Sequence, residues 1–167
     1  SMKYDPEIVI DAATLTGSAL RAIGTEASII MGNAKNHYFE ELEKAGNEVH
    51  ERVVRFPFWD DYAKHMESKI ADLKNIGGPN AGMISAGKFL EHFLKAPYIH
   101  MDVAGPTWLD SREDYKGQGG TGSGVRLLYQ FLKNLLFLLS RISILQIRLF
   151  ELQRGTDLYR LNKFYPP

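Results

Sequence analysis

The chain has 167 residues, about one domain, with 44% hydrophobic and 24% charged side chains, an ordinary balance for a globular protein. It contains no cysteine, which excludes a disulfide framework, a thiolate metal site and a cysteine nucleophile. Twenty basic side chains balance twenty acidic ones, but unevenly: residues 135–167 carry five basic and two acidic groups, which leaves 15 basic and 18 acidic in residues 1–134. A body of that sign offers phosphates no broad attractive field, so no nucleic-acid partner is expected.

Ser1-Met2 reads as a cleaved tag remnant before an internal start, and no basic stretch with an apolar core follows it, so no secretory leader is expected. Glu7 to Asp11 reads as a buried strand, and Ser18 to Ile23 as a short helix stopped by Gly24. Between them lies Asp11-Ala12-Ala13-Thr14-Leu15-Thr16-Gly17, a strand end feeding a helix start, the place where open α/β sheets bind ligands. Asp11 is expected to cap backbone amides there. Thr14, Thr16 and Ser18 have no identifiable base beside them and read as helix-capping residues rather than nucleophiles.

Ala27 to Met31 is a second apolar run, closed by Gly32-Asn33. Asn36 is placed to cap the next helix, with Phe39, Leu42, Val49 and Val53 roughly at helical spacing. The run Arg55 to Trp59 breaks it, and Asp60 to Lys69 predicts another helix. Lys74 to Asn80 is a loop by composition. Ala81 to Leu94 predicts a helix whose small residues (Gly82, Ser85, Ala86) suit close packing against a sheet.

Tyr98 to Val103 is a third strand; His100 and Asp102 share one of its faces and are expected to form a buried hydrogen-bonded contact rather than a metal site. Gly117 to Gly124 is a glycine-rich turn. It is not a phosphate loop, because Val125 and Arg126 stand where a Walker loop needs Lys and Ser or Thr. Phe56, Phe58, Trp59 and Trp108 read as core or subunit contacts. A helical pattern runs from Val125 to about Phe150 with Arg126, Lys133, Arg141 and Arg148 as a basic stripe, too charged to span a membrane. Strands alternating with helices predict an α/β fold: a mixed, mainly parallel sheet covered by helices, with a C-terminal amphipathic helix.

Six segments in order resemble the leucyl aminopeptidase family, the two-metal cytosolic aminopeptidases. They are Asp11 to Gly17 (D-x-A-T-L-T-G), Arg52 to Trp59, Ile70 to Gly77 (I-A-D-x-x-N-I-G), Ala81-Gly82 with Phe89-Leu90, His100 to Gly105 (H-x-D-I-A-G) and Gly120 to Arg126. The resemblance covers Glu7 to about Leu135. It divides the chain into residues 1–134, the C-terminal part of a catalytic domain, and residues 135–167, an atypical tail that is either an extension docking on another subunit or foreign sequence.

The resemblance implies a cytoplasmic hydrolase that removes N-terminal residues from peptides with two divalent metals, zinc, manganese or magnesium, and assembles as hexamers. It also implies that the metal ligands and the catalytic lysine and arginine belong to K-x-x-x-x-D and N-T-D-A-E-G-R motifs upstream of the first strand, and neither motif occurs in these 167 residues. No metal is therefore expected on this chain alone. What carries over is a substrate wall. Thr14, Leu15 and Gly17 line the site, with the Leu15 carbonyl facing the substrate's amino end. Ile76 lies beside the leaving group, and Ala104 and Thr107 belong to the pocket for the N-terminal side chain. The alternative expectation is a non-enzymatic oligomeric scaffold derived from the same fold.

Overall fold

A computed structural model describes residues 2–138. The β-branched residues Val9 and Ile10 open β1 (Val9–Ala13), which runs two residues past the expected end. Thr16, in extended conformation, then caps α1 (Gly17–Ile23): its Oγ1 accepts from the Ala19 amide at 3.1 Å. Gly24 ends that helix with φ +68°, a conformation open to glycine and costly for other residues. β2 (Ser28–Gly32) and β4 (Tyr98–Asp102) are buried almost throughout, which explains their unbroken apolar runs.

The four-stranded sheet has the order β1-β4-β2-β3, with β3 (Val53–Arg55) and β1 at its edges. β1 runs parallel to β4 and β2 parallel to β3, while β2 and β4 are antiparallel, so the sheet is mixed and mainly parallel, as expected. Ala13 stands beside Asp102 in the β1–β4 register, and both strands therefore release their loops at the same end of the sheet.

α2 (Asn36–Val49) lies between β2 and β3 in the chain and packs on β3. Its cap position is Lys35 rather than Asn36, whose Oδ1 instead accepts from Arg55 Nη2 at 3.0 Å. His50 turns left-handed (φ +55°), which ends the helix before Val53. Val53 belongs to β3, a strand too short for its alternation to show in sequence.

The segment expected as a helix over Asp60 to Lys69 is a 3-10 helix, Asp60–Met66. Its amide-to-carbonyl bonds close over three residues (Tyr62 N–H to the Trp59 carbonyl, 3.2 Å), and only Met66 is fully buried, so too little apolar surface supports a longer regular helix. It is tied to α3 (Gly82–Glu91) by Lys88, whose ammonium lies 3.0 Å from Asp60 Oδ1 and 2.9 Å from Glu91 Oε2, 4.2 Å over the Phe58 ring centroid. Burial alone would lower the Lys88 pKa, but its bonds to Glu91 and Asp60 leave it raised.

One core cluster joins Ala19 of α1, Ile29 and Met31 of β2, and Met83 and Ile84 of α3, with Phe56, Phe58 and Ala104 packed against it. The aromatic expectation thus divides. Phe56 and Phe58 reach the core, whereas Trp59 and Trp108 are exposed (64% and 61%), so neither tryptophan is a core residue. Gly105, in the loop after β4, is pressed against the loop before β2: a Cβ there would lie 2.2 Å from the Gly24 carbonyl oxygen. Gly105→Ala forces backbone to move and is expected to cost about 2–3 kcal/mol in urea unfolding.

The glycine-rich segment is partly paired, as β5 (Trp108–Leu109) runs antiparallel to β6 (Gly119–Gly120). Residues 125–138 are helical. The chain divides into two compact units, Ser1–Phe131 and Leu132–Pro167. Within the second, residues 132–138 are helical and Leu136 is exposed. The remainder of the expected basic helix with Arg141 and Arg148, the rest of the tail, and Ser1 lie outside the described residues. Among the described residues no helix is long and apolar enough to cross a membrane.

Candidate functional site

Where β1 and β4 end side by side, one buried carboxylate organises both of the loops that follow. Asp102 is fully buried. Its Oδ1 accepts from the Leu15 amide (3.3 Å) and from the Ala104 amide (3.1 Å), and its Oδ2 accepts from the Thr16 hydroxyl (2.7 Å). The β1–α1 loop and the loop after β4 are thereby held to one side chain. A buried carboxylate survives only when its oxygens are satisfied, and here backbone and hydroxyl donors do it without a cation.

His100 and Asp102 were expected to contact each other; they share a face of β4 but bond elsewhere. His100 Nδ1 is 2.8 Å from Asp11 Oδ1, and the Tyr98 hydroxyl donates to Asp11 Oδ2. Because β1 continues to Ala13, Asp11 sits in mid-strand opposite His100 and faces these two side chains, so it does not cap the helix. Burial, then the bond to Asp11, pushes the Tyr98 hydroxyl far above its ordinary pKa, which keeps it a donor. Since a carboxylate only accepts, His100 carries its proton on Nδ1, and its buried Nε2 has no hydrogen-bond partner among the described residues.

A groove of about 370 Å³ opens beside this strap. Leu15, Thr16 and Gly17 line one part of it, Asn75 to Pro79 line another, and Arg21, Met66 and Gly82 also contribute. The structure therefore brings Leu15, Gly17 and Ile76 together. Thr14, Ala104 and Thr107 do not line this groove. Thr14 is exposed, Ala104 packs against the core cluster, and the Thr107 carbonyl accepts from the Thr121 amide at 3.0 Å. Ala104 is nonetheless coupled to Leu15 through Asp102. Sequence reasoning missed Arg21. Its position four residues after Gly17, on the same face of a short helix, was the available signal.

Among the described residues no three His, Asp or Glu side chains gather in a way that could hold a metal ion. Asp11 accepts from His100 Nδ1 and the Tyr98 hydroxyl, and Asp102 accepts from three donors, so both carboxylates are already bonded within the chain. These residues do not fit a two-metal centre.

Residues 1–129 match the family model described as cytosol aminopeptidase family, catalytic domain. The chain belongs to the cytosol aminopeptidase family. It is 44% identical over 136 residues to a probable cytosol aminopeptidase of Geotalea uraniireducens, covering 81% of this chain and 27% of that protein. To one of Clostridium perfringens it is 45% identical over 123 residues, covering 73% and 25%. Among solved structures, a tomato leucine aminopeptidase mutant aligns with TM-score 0.71 at 31% identity, over 78% of this chain and 25% of that one. The bottromycin maturation enzyme BotP in complex with Mn aligns with TM-score 0.71 at 30% identity, over 77% and 29%. The chain thus spans about a quarter of the length of the curated relatives it matches. That share places a family catalytic-domain piece, α/β in class, in these residues.

Proposed function

We propose that this chain forms the substrate-facing wall of a cytoplasmic, metal-dependent aminopeptidase that removes N-terminal residues from peptides. The groups that hold two divalent metals, manganese or zinc, and break the bond belong to polypeptide outside these 167 residues. The observation that carries the reading is the convergence of Leu15, Gly17 and Ile76 on one groove of about 370 Å³ at the end of β1. In it the Leu15 carbonyl receives the substrate's amino end, Gly17 completes that side and Ile76 borders the leaving group, while Thr14 borders the substrate from just outside the groove. Ala104 and Thr107 border the N-terminal side chain from the loop after β4. The Mn-bound neighbour supports a divalent metal in the complete enzyme.

The chain by itself binds no catalytic metal pair and is inactive. Purified chain incubated with leucyl amide and manganese is expected to release no leucine above buffer. Manganese-dependent, chelator-sensitive release would overturn the division of labour. Binding is read separately. In a peptide titration followed by NMR, the amides of Leu15, Gly17 and Ile76 are expected to shift together, and a titration that leaves all three unmoved removes the wall reading.

A second reading, an oligomeric scaffold without catalysis, is favoured by one observation. The β1 edge carries no strand partner among the described residues, and Ile70 (98%), Trp59 and Trp108 are exposed. The complete protein is in either reading a homo-oligomer, a hexamer by the family resemblance, with no nucleic-acid or membrane partner. A sedimentation profile showing only monomer at micromolar concentration would remove the scaffold.

A further inference from the structure

We propose that Arg21 makes the groove selective for peptides that carry a carboxylate just beyond their N-terminal residue. The inference rests on the wall reading above and names the substrate class for it. Among the described residues that line the groove, Arg21 is the only one with a charged side chain. The others are apolar side chains, small residues and short polar groups such as Thr16, Ser18 and Asn75. One end of its guanidinium leans over Gly17: Nη1 lies 3.2 Å from where a Cβ on that glycine would stand. A side chain at position 17 would therefore crowd the arginine away, and glycine leaves it free to lie along the groove wall.

Arg21 has no ion-pair or hydrogen-bond partner among the described residues, in contrast to Lys88, held by two carboxylates, and Arg126, held by Glu51 and Tyr115. An arginine that lines an otherwise uncharged groove and lacks an acidic partner presents its fork of N–H donors to a ligand. A carboxylate matches that fork with two parallel bonds, whereas a primary amide or an ammonium group does not. Leu15 and Ile76, the residues assigned to the substrate's amino end and leaving side, line the same groove as Arg21. The anion that reaches the guanidinium is therefore borne by the residue after the N-terminal one. It is either the terminal carboxylate of a dipeptide or an Asp or Glu side chain in second position.

Isotope-labelled chain titrated at low salt with Leu-Gly, Leu-Gly amide, Leu-Asp amide and Leu-Asn amide separates the cases. Because Arg21 is solvent-exposed, the acid of at least one pair is expected to bind about five- to tenfold more tightly than its neutral counterpart. Discrimination within the first pair assigns the terminal carboxylate; discrimination within the second assigns the side chain. Arg21→Gln is expected to erase the preference, so that each acid binds no more tightly than its amide, and Arg21→Lys to keep part of it. Equal affinities within both pairs, with Leu15 and Gly17 amides still shifting, would overturn the role of Arg21 and leave the wall standing. No shift with any of the four peptides would overturn the wall itself and this inference with it.

Discussion

Asp102→Ala is expected to be the most damaging single substitution in the sheet, destabilising the chain by about 3–5 kcal/mol in urea unfolding. The carboxylate is fully buried and takes three donors from two loops: the Leu15 amide, the Thr16 hydroxyl and the Ala104 amide. Truncation leaves the two amides without their acceptor at the end of a packed sheet, and a stranded buried donor costs more than a typical bond contributes. It also frees Thr16, the cap of α1, from the group that orients its hydroxyl.

Asp102→Asn separates charge from shape. Its amide oxygen can still accept from Leu15 and Ala104, but its NH₂ then faces Thr16 Oγ1, which already accepts from the Ala19 amide and the Ser18 hydroxyl. The cost is expected to fall to about 1–2 kcal/mol, with the chemical shifts of Thr16 and Ser18 moving more than those of Ala104. A loss below about 1 kcal/mol for the alanine variant would mean that the two loops hold their shape without the strap.

The second large effect is expected at Glu51. Its side chain is 9% exposed and accepts three bonds at the start of the helix that begins at residue 125: from the Gly124 amide (3.0 Å), the Leu127 amide (2.9 Å) and Arg126 Nε (3.0 Å). The same carboxylate occupies the Gly124 and Leu127 amides, two of the donors that an external anion would need at the glycine-rich turn. Two of its three bonds satisfy helix N-terminal amides that have no intrahelical acceptor, with the helix dipole adding to them.

Glu51→Ala is expected to destabilise by about 2–4 kcal/mol. Arg126→Ala removes only the partner that is 46% exposed, where solvent screens the pair, and is expected to cost less than about 1 kcal/mol. Paired denaturation curves decide the matter. Equal losses in the two variants would mean that the ion pair, rather than the amide cap, holds the helix start.

How far these features can be read without coordinates differs from element to element. Val9-Ile10, Ser28 to Met31 and Tyr98 to Met101 announce strands because each is apolar on both faces of a covered sheet, and their boundaries come within about two residues. The Thr16 cap and the Gly24 stop follow from local backbone chemistry, which acts through neighbours in the chain. β3 stayed hidden because three residues cannot display a period, and its existence depends on β2 offering a parallel edge. Asp60–Met66 has a composition fit for a helix, yet the Lys88 tie and the single buried Met66 belong to a 3-10 turn. In the groove, Leu15 and Gly17 are adjacent in sequence, but Ile76 meets them only through the fold, and Arg21 gains meaning only when the groove's other residues prove uncharged.

Local chemistry and hydrophobic period were therefore enough for an α/β class, three of the strands and the capped helix after β1, while the family was legible only through the resemblance of six ordered motifs. Contacts between residues 73 to 89 positions apart settled the rest: which acid serves His100, which loops Asp102 joins and which amides Glu51 covers. A carboxylate in sequence is only a charge that must find donors. Which donors come within hydrogen-bond reach of it is decided by the register of β1 beside β4 and by the helix start that lands on Glu51, and neither leaves a periodic trace in the chain.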